Sequence, residues 1–270
     1  MKKNYARVEM IMVLSALMLI IVMMAITVNT YAGTYRTKLV EGKQVAKYWE
    51  PPYDADAVTY IEITPSKTGT ITYTTDFACW VTLCDANRKE LSKGYYESGD
   101  CIDPDNYNSF MQKVHYGVKK GKTYNLKVVN MPTRTDSDGD YEGIMKYTTT
   151  KVKPAKCGSS KKKAKAIKKN KKIKGLFKAG SKKAQWYKVT NKQKKTKITI
   201  SADKINYALN VKVYYKSGKK WKDASTTVTW QTDYKDNTFQ GTISKKAKHT
   251  YYIKVYPEGK TSGSYWIKWK

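Results

Sequence analysis

Two histidines, four cysteines and seven prolines in 270 residues leave little material for several kinds of chemistry. His115 and His249 each fall inside or at the start of an alternating run, and no Gly-x-Ser-x-Gly elbow or His-Glu-x-x-His pair accompanies them. The chain therefore reads as a non-enzyme, although a catalytic triad can be dispersed in sequence. Cys79, Cys84, Cys101 and Cys157 lack a Cys-x-x-Cys spacing, which argues against structural zinc. On one straight strand Cys79 and Cys84 would stand ~16 Å apart and face opposite ways, so they cannot bridge each other. Cys101 is the available partner for either, and free thiols are the alternative.

Acidic residues are nearly missing from the second half. Residues 33–150 hold 15 Lys and Arg against 16 Asp and Glu, whereas 151–270 hold 34 against 5, so almost all of the net charge of +30 is in one half. Such asymmetry points to a polyanion as the partner of that half. Beyond the N-terminus no run repeats apolar residues at helical spacing, while 23 Tyr, 7 Trp and many Thr, Val and Ile favour strands.

Residues 1–32 place Lys2, Lys3 and Arg7 before an uncharged apolar run of 19 residues, Met10 to Val28, and end on Thr30-Tyr31-Ala32, a small-x-small pattern. This is an export segment, a cleaved signal peptide or an N-terminal membrane anchor, and it places the remainder outside the cytoplasm.

The rest of the chain says one thing twice. Residues 249–256 (HTYYIKVY) match 122–129 (KTYNLKVV), and each is followed by a polar connection, a glycine and another alternating strand. Further pairs are 187–190 with 61–64, 196–200 with 69–73, and 211–215 with 81–85, at offsets between 126 and 130. Strands are also expected at 57–64, 69–74, 80–84, 114–118, 123–129, 144–150 and 241–244, and a first strand of the second unit near 173–177. The expectation is an all-β chain of two tandem β-sandwich, jelly-roll-like domains, 35–150 and 164–270, with few contacts across a Lys/Pro/Gly/Ser linker at 151–163. The inward set of the second domain is Ile198, Ile200, Val211, Val213, Ile253, Val255, Tyr265 and Ile267.

On Lys174-Gly175-Leu176, Trp186-Tyr187, the Ile198/Ile200 strand, Val211-Lys212-Val213-Tyr214 with Ser217-Gly218-Lys219, and the terminal Tyr251–Val255 with Gly263 and Tyr265, the second unit resembles bacterial pre-peptidase C-terminal (PPC) domains. The first unit resembles them more distantly, with Asn87-Arg88-Lys89 in place of the turn glycine. The resemblance implies a secreted β-sandwich that aids export or binds substrate or surface. In that family the domain commonly trails a secreted peptidase, and no peptidase is expected ahead of it here.

Two groups of residues carry the candidate chemistry. Asp136, Asp138, Asp140 and Glu142 alternate as in the acidic half of a calcium loop, but the glycine stands at position 4 rather than 6 and Tyr147 occupies position 12; a solvated turn is the plainer reading. No other cofactor is indicated. Lys188, Lys197, Lys212, Lys254 and Lys268 alternate with apolar strand residues and should project outward, and the counterparts of Lys188 and Lys212 are Glu62 and Thr82, so the fold does not demand lysine there. The expected function is docking of a monomeric exported protein on an anionic polymer, wall teichoic acid or an acidic glycan, with no specific nucleic acid and with membrane contact only through residues 1–32. The alternatives are a carbohydrate-binding or adhesive module using Trp221, Trp230 and Trp266, or an accessory domain of a secreted enzyme.

Overall fold

The computed structural model describes residues 36–49, 58–75, 79–93, 112–130, 141–190, 196–224, 228–233, 238–243 and 250–270. The export segment, Cys101, His249 and the acidic residues Asp136, Asp138 and Asp140 lie outside them. Glu142 is in a described strand, with its side chain outside the described set. All regular structure among the described residues is β, and no helix among them is long and apolar enough to cross a membrane.

The first half contains β1 (Arg36–Lys38), β2 (Gln44–Trp49), β3 (Val58–Ile63), β4 (Gly69–Thr75), β5 (Cys79–Asp85), β6 (Glu90–Lys93), β7 (Gln112–Val118), β8 (Tyr124–Asn130) and β9 (Tyr141–Lys151). They form two sheets, in the orders β1-β3-β8-β5-β6 and β2-β9-β4-β7. The second half contains β10 (Lys165–Ala166), β11 (Ile173–Phe177), β12 (Gln185–Thr190), β13 (Thr196–Ile205), β14 (Leu209–Ser217), β15 (Lys220–Asp223), β16 (Val228–Asp233), β17 (Thr238–Ile243), β18 (Thr250–Pro257) and β19 (Gly263–Trp269). Their orders are β10-β12-β18-β14-β15 and β11-β19-β13-β17-β16. With β16 set aside as an addition at an edge, the two halves have the same strand order. Even the parallel pair recurs, β1 beside β3 and β10 beside β12.

The register agrees with the repeat read from sequence. Ile61 lies opposite Leu126 as Tyr187 lies opposite Ile253, and Leu83 opposite Leu126 as Val213 opposite Ile253. Alternation then fills each core from both of its sheets. In the first half Ile61, Val81 and Leu126 meet Ile71, Tyr116 and Tyr147; in the second, Tyr187, Val213 and Ile253 meet Ile198, Ile200 and Ile267. Of the eight inward residues expected, seven are buried, and Val211 is half-buried against the same cluster.

The departure at Asn87-Arg88-Lys89 has a local explanation. Gly218 turns the β14–β15 hairpin at φ 59°, and Arg88, its counterpart, adopts φ 63° without being glycine. Asp85 stabilises that turn: its Oδ1 accepts from the N–H groups of Asn87 and Lys89, while Arg88 lies over the Tyr60 ring at 4.5 Å.

The expectation of few contacts across the linker needs correction. The polar connection between β18 and β19, followed by the start of β19, docks on the first half. Ser262 Oγ pairs with Ser92 Oγ at 2.7 Å and accepts from Gly117 N–H, Thr70 donates to Ser264 Oγ at 2.8 Å, and Asn206 donates to the Lys93 carbonyl. Ala179 N–H donates to the Gly117 carbonyl at 2.8 Å, and its side chain joins the first core. Nor does residues 151–163 hang free: Ala155 bonds to Lys174, and Gly158 forms a bridge with Trp186.

Candidate functional site

Alternation on β18 decides which side chains leave the core. Tyr251, Ile253 and Val255 are buried, so Tyr252, Lys254 and Tyr256 occupy the outer face of the β10-β12-β18-β14-β15 sheet. Antiparallel register supplies their neighbours. Lys254 lies between Trp186 on β12 and Lys212 on β14, and Tyr252 lies between Lys188 and Tyr214. At the edge, Lys216 faces Trp221 and Tyr214 faces Asp223. Lysine and aromatic side chains thus alternate across one sheet face.

The rings touch each other and the ammonium groups. Trp186 and Tyr214 have centroids 5.7 Å apart, and Trp221 meets Tyr252 edge to face at 4.7 Å. Lys254 Nζ is 4.3 Å from the Tyr256 centroid and 5.9 Å from that of Trp186. Gly158 brings the following segment over this face, so that Lys161 Nζ lies 3.7 Å from Tyr214, 5.3 Å from Trp221 and 6.0 Å from Trp186. Cation–π contacts of this kind contribute about 0.5–2 kcal/mol each and leave the positive charge in place.

The equivalent face of the first half is neutralised. Lys127, the counterpart of Lys254, lies 3.4 Å from Glu90, and Glu62, the counterpart of Lys188, lies 3.5 Å from Lys38. In the second half Lys188, Lys212 and Lys254 form no ion pair with a described acid, and Lys212 and Lys254 stand directly opposite each other. Like charges so placed oppose folding.

Of the five lysines singled out in sequence, the structure brings together Lys188, Lys212 and Lys254. Lys197 and Lys268 lie on the outer face of the other sheet, where Thr199 is opposite Lys268 and Lys174 opposite Trp266. Trp221 joins the first group and Trp266 the second. Trp230 is in β16, with its side chain outside the described residues. Trp186, Tyr214, Tyr252, Tyr256 and Lys161 are additions that sequence reasoning missed. For the two β18 tyrosines the signal was present, because they alternate with the core residues; for Lys161 there was none.

Burial or hydrogen bonding occupies three other reactive groups among the described residues. Cys79 and Cys84 are buried free thiols of β5; burial pushes the first up to about 12, and burial together with the Glu90 charge pushes the second up to about 11. Cys157 is exposed and free. His115 Nδ1 pairs with Thr72 Oγ1 at 3.0 Å across adjacent strands. No three His, Cys, Asp or Glu side chains among the described residues are grouped to hold a metal, and the calcium candidate lies outside them.

No family model and no curated protein matches the chain. Among solved structures it is similar to a protein from Eubacterium rectale assigned as secreted, with 9% identity, TM-score 0.27, and coverage of 88% of this chain and 79% of that one. It is also similar to the C-terminal domain of the Streptococcus pyogenes antigen I/II-family protein AspA, with 11% identity, TM-score 0.22, and coverage of 71% and 77%. A third likeness, to the secreted serine protease VesC from Vibrio cholerae, has 9% identity and TM-score 0.23 over 86% of this chain and 48% of that one. Likenesses at these scores assign neither a family nor an activity.

Proposed function

We propose that the chain is a non-catalytic, exported binding protein whose basic half docks on an acidic glycan through the outer face of the β10-β12-β18-β14-β15 sheet. The observation that carries this reading is the alternation of Lys188, Lys212 and Lys254 with the half-buried rings of Tyr214, Tyr252 and Tyr256 on that face, beside the buried Trp186. Aromatic rings offer platforms to the apolar faces of sugar rings, and unpaired ammonium groups offer partners to carboxylates or sulfates. The lysine and aromatic readings of the sequence thereby become one reading, and the opposed Lys212 and Lys254 acquire a counter-charge on binding.

A glycan suits this surface better than a phosphate polymer without sugar, because such a polymer would leave the rings unused. Export rests on the basic, apolar and small-x-small succession of residues 1–32. A PPC-like role at a bacterial surface, with the protein acting as a monomer and without sequence-specific nucleic-acid recognition, completes the proposal.

The test is retention of the protein on immobilised polygalacturonate and on immobilised polyphosphate at 0.15 M salt, a condition near the ~8 Å screening regime. Removing rings with Trp221→Ala and Tyr252→Ala should weaken polygalacturonate binding about tenfold and leave polyphosphate binding nearly unchanged. Equal losses on the two supports, or none on either, would overturn the glycan reading.

A further inference from the structure

We infer that the second half is bivalent, with a second acidic-glycan surface on the opposite side of the same sandwich, so that one molecule bridges two polymer chains. This rests on the preceding reading of the ligand. Its independent observation is the separation of the five lysines. Lys197 and Lys268 are on the outer face of β11-β19-β13-β17-β16, with the whole core between them and Lys188, Lys212 and Lys254.

That second face has the same composition in smaller form. Trp266 of β19 is directly opposite Lys174 of β11, and Lys172 Nζ is 4.0 Å from its ring centroid. Lys268 is two residues further along β19, opposite Thr199, and Lys197 follows on β13. None of these four lysines forms an ion pair with a described acid. The first half covers one end of this face, where Thr70 meets Ser264; Trp266 and Lys268 lie beyond it along the strand. Sheets of a sandwich pack about 10 Å apart, and the two faces point in opposite directions, so a single short oligomer bound flat on one cannot reach the other.

Charge complementarity selects the occupant: a face with unpaired lysines around an indole fits the same uronate-bearing sugar chain as its opposite. Bridging then follows without any second copy of the protein. Linking two sites also raises the apparent affinity for a dense polymer above that for a short oligomer.

The test is the stoichiometry of hexagalacturonate binding to the full chain by calorimetry, with bridging of polygalacturonate-coated beads as a second measurement. The unaltered protein should bind two hexamers and clump the beads. Lys188→Thr, Lys212→Thr and Lys254→Thr together should leave one hexamer bound, as should Lys174→Thr, Lys197→Thr and Lys268→Thr together, and neither variant should clump beads. The first half has Thr82 and Glu62 where the second has Lys212 and Lys188, so the fold does not demand lysine at those two positions. Unaltered circular dichroism melts would show that the variants fold, and the corresponding glutamine variants serve if a threonine variant fails to fold. One hexamer on the unaltered protein, lost only with the first set, overturns bivalency and leaves the proposed function standing. No hexamer bound at all removes both.

Discussion

The carbonyl oxygen of Phe177 lies 1.9 Å from where Gly117 would carry a Cβ, and the Gly117 carbonyl accepts from Ala179 two residues further on. Backbone of the second half is thus laid directly on backbone of the first. Gly117→Ala places a methyl group against a main-chain oxygen that cannot swing away as a flexible side chain could. It should destabilise the protein by about 1–3 kcal/mol and split a single thermal transition into two, as followed by scanning calorimetry. One transition at an unchanged temperature would mean that the halves do not depend on this contact.

Acid should loosen the same junction. Glu90 lies 3.2 Å from Lys260 of the second half and 3.4 Å from Lys127 of its own, and hydrogen bonding to Lys260 foremost, against some burial, holds its carboxyl below the usual carboxylate range. A group with a depressed folded value stabilises above its unfolded value and loses that contribution as pH falls through the folded one. The pair is partly exposed, so the contribution is about 0–1 kcal/mol. As pH falls below the usual carboxylate range the unaltered protein should progressively lose that increment and Glu90→Gln should not. Parallel melting profiles for the two proteins would contradict the assignment.

The thiols provide a third check. Cys79 and Cys84 should resist a thiol reagent at pH 8 until the protein unfolds, because burial keeps both protonated and out of reach, while Cys157 should react in the native state. Rapid native-state labelling of Cys84, read by peptide mass spectrometry, would show that β5 is open at that position.

Ile253 tests the face assignment made on β18. It is fully buried opposite both Tyr187 and Val213. Ile253→Asp puts an unpaired carboxylate into that core and should remove the cooperative melt of the second half, whereas Lys254→Thr, its neighbour on the outer face, should shift the melt by about 0.5 kcal/mol or less.

How far the sequence carried can be seen on these same strands. Period-two alternation in 198–200, 211–213, 251–255 and 265–267 gave the inward set, and the observed register is consistent with the repeat offset; a slip of one residue would exchange every core side chain for a surface one. Short edge strands escaped notice: β1, β6, β10 and β15 are two to four residues long and polar, as in KWKD for β15, with no apolar pattern to detect. The docking of Ser262 on Ser92 was also hidden, since its small polar residues read as an ordinary solvated turn. In the candidate site, lysines on alternating positions were legible one strand at a time. Their division between two opposite faces was not, because it depends on which sheet each strand joins.

The central claim is that Lys188, Lys212 and Lys254 meet the anionic partner. Its most direct measurement is the slope of log affinity for polygalacturonate against log salt, for the unaltered protein and for the variant with all three changed to threonine. Counterion release from a charged polymer contributes about 0.7–0.9 to the slope per charge neutralised, so the variant should lose about 2–3 from it. An identical slope and affinity for the two proteins would contradict the account and reduce the three lysines to a solubilising surface.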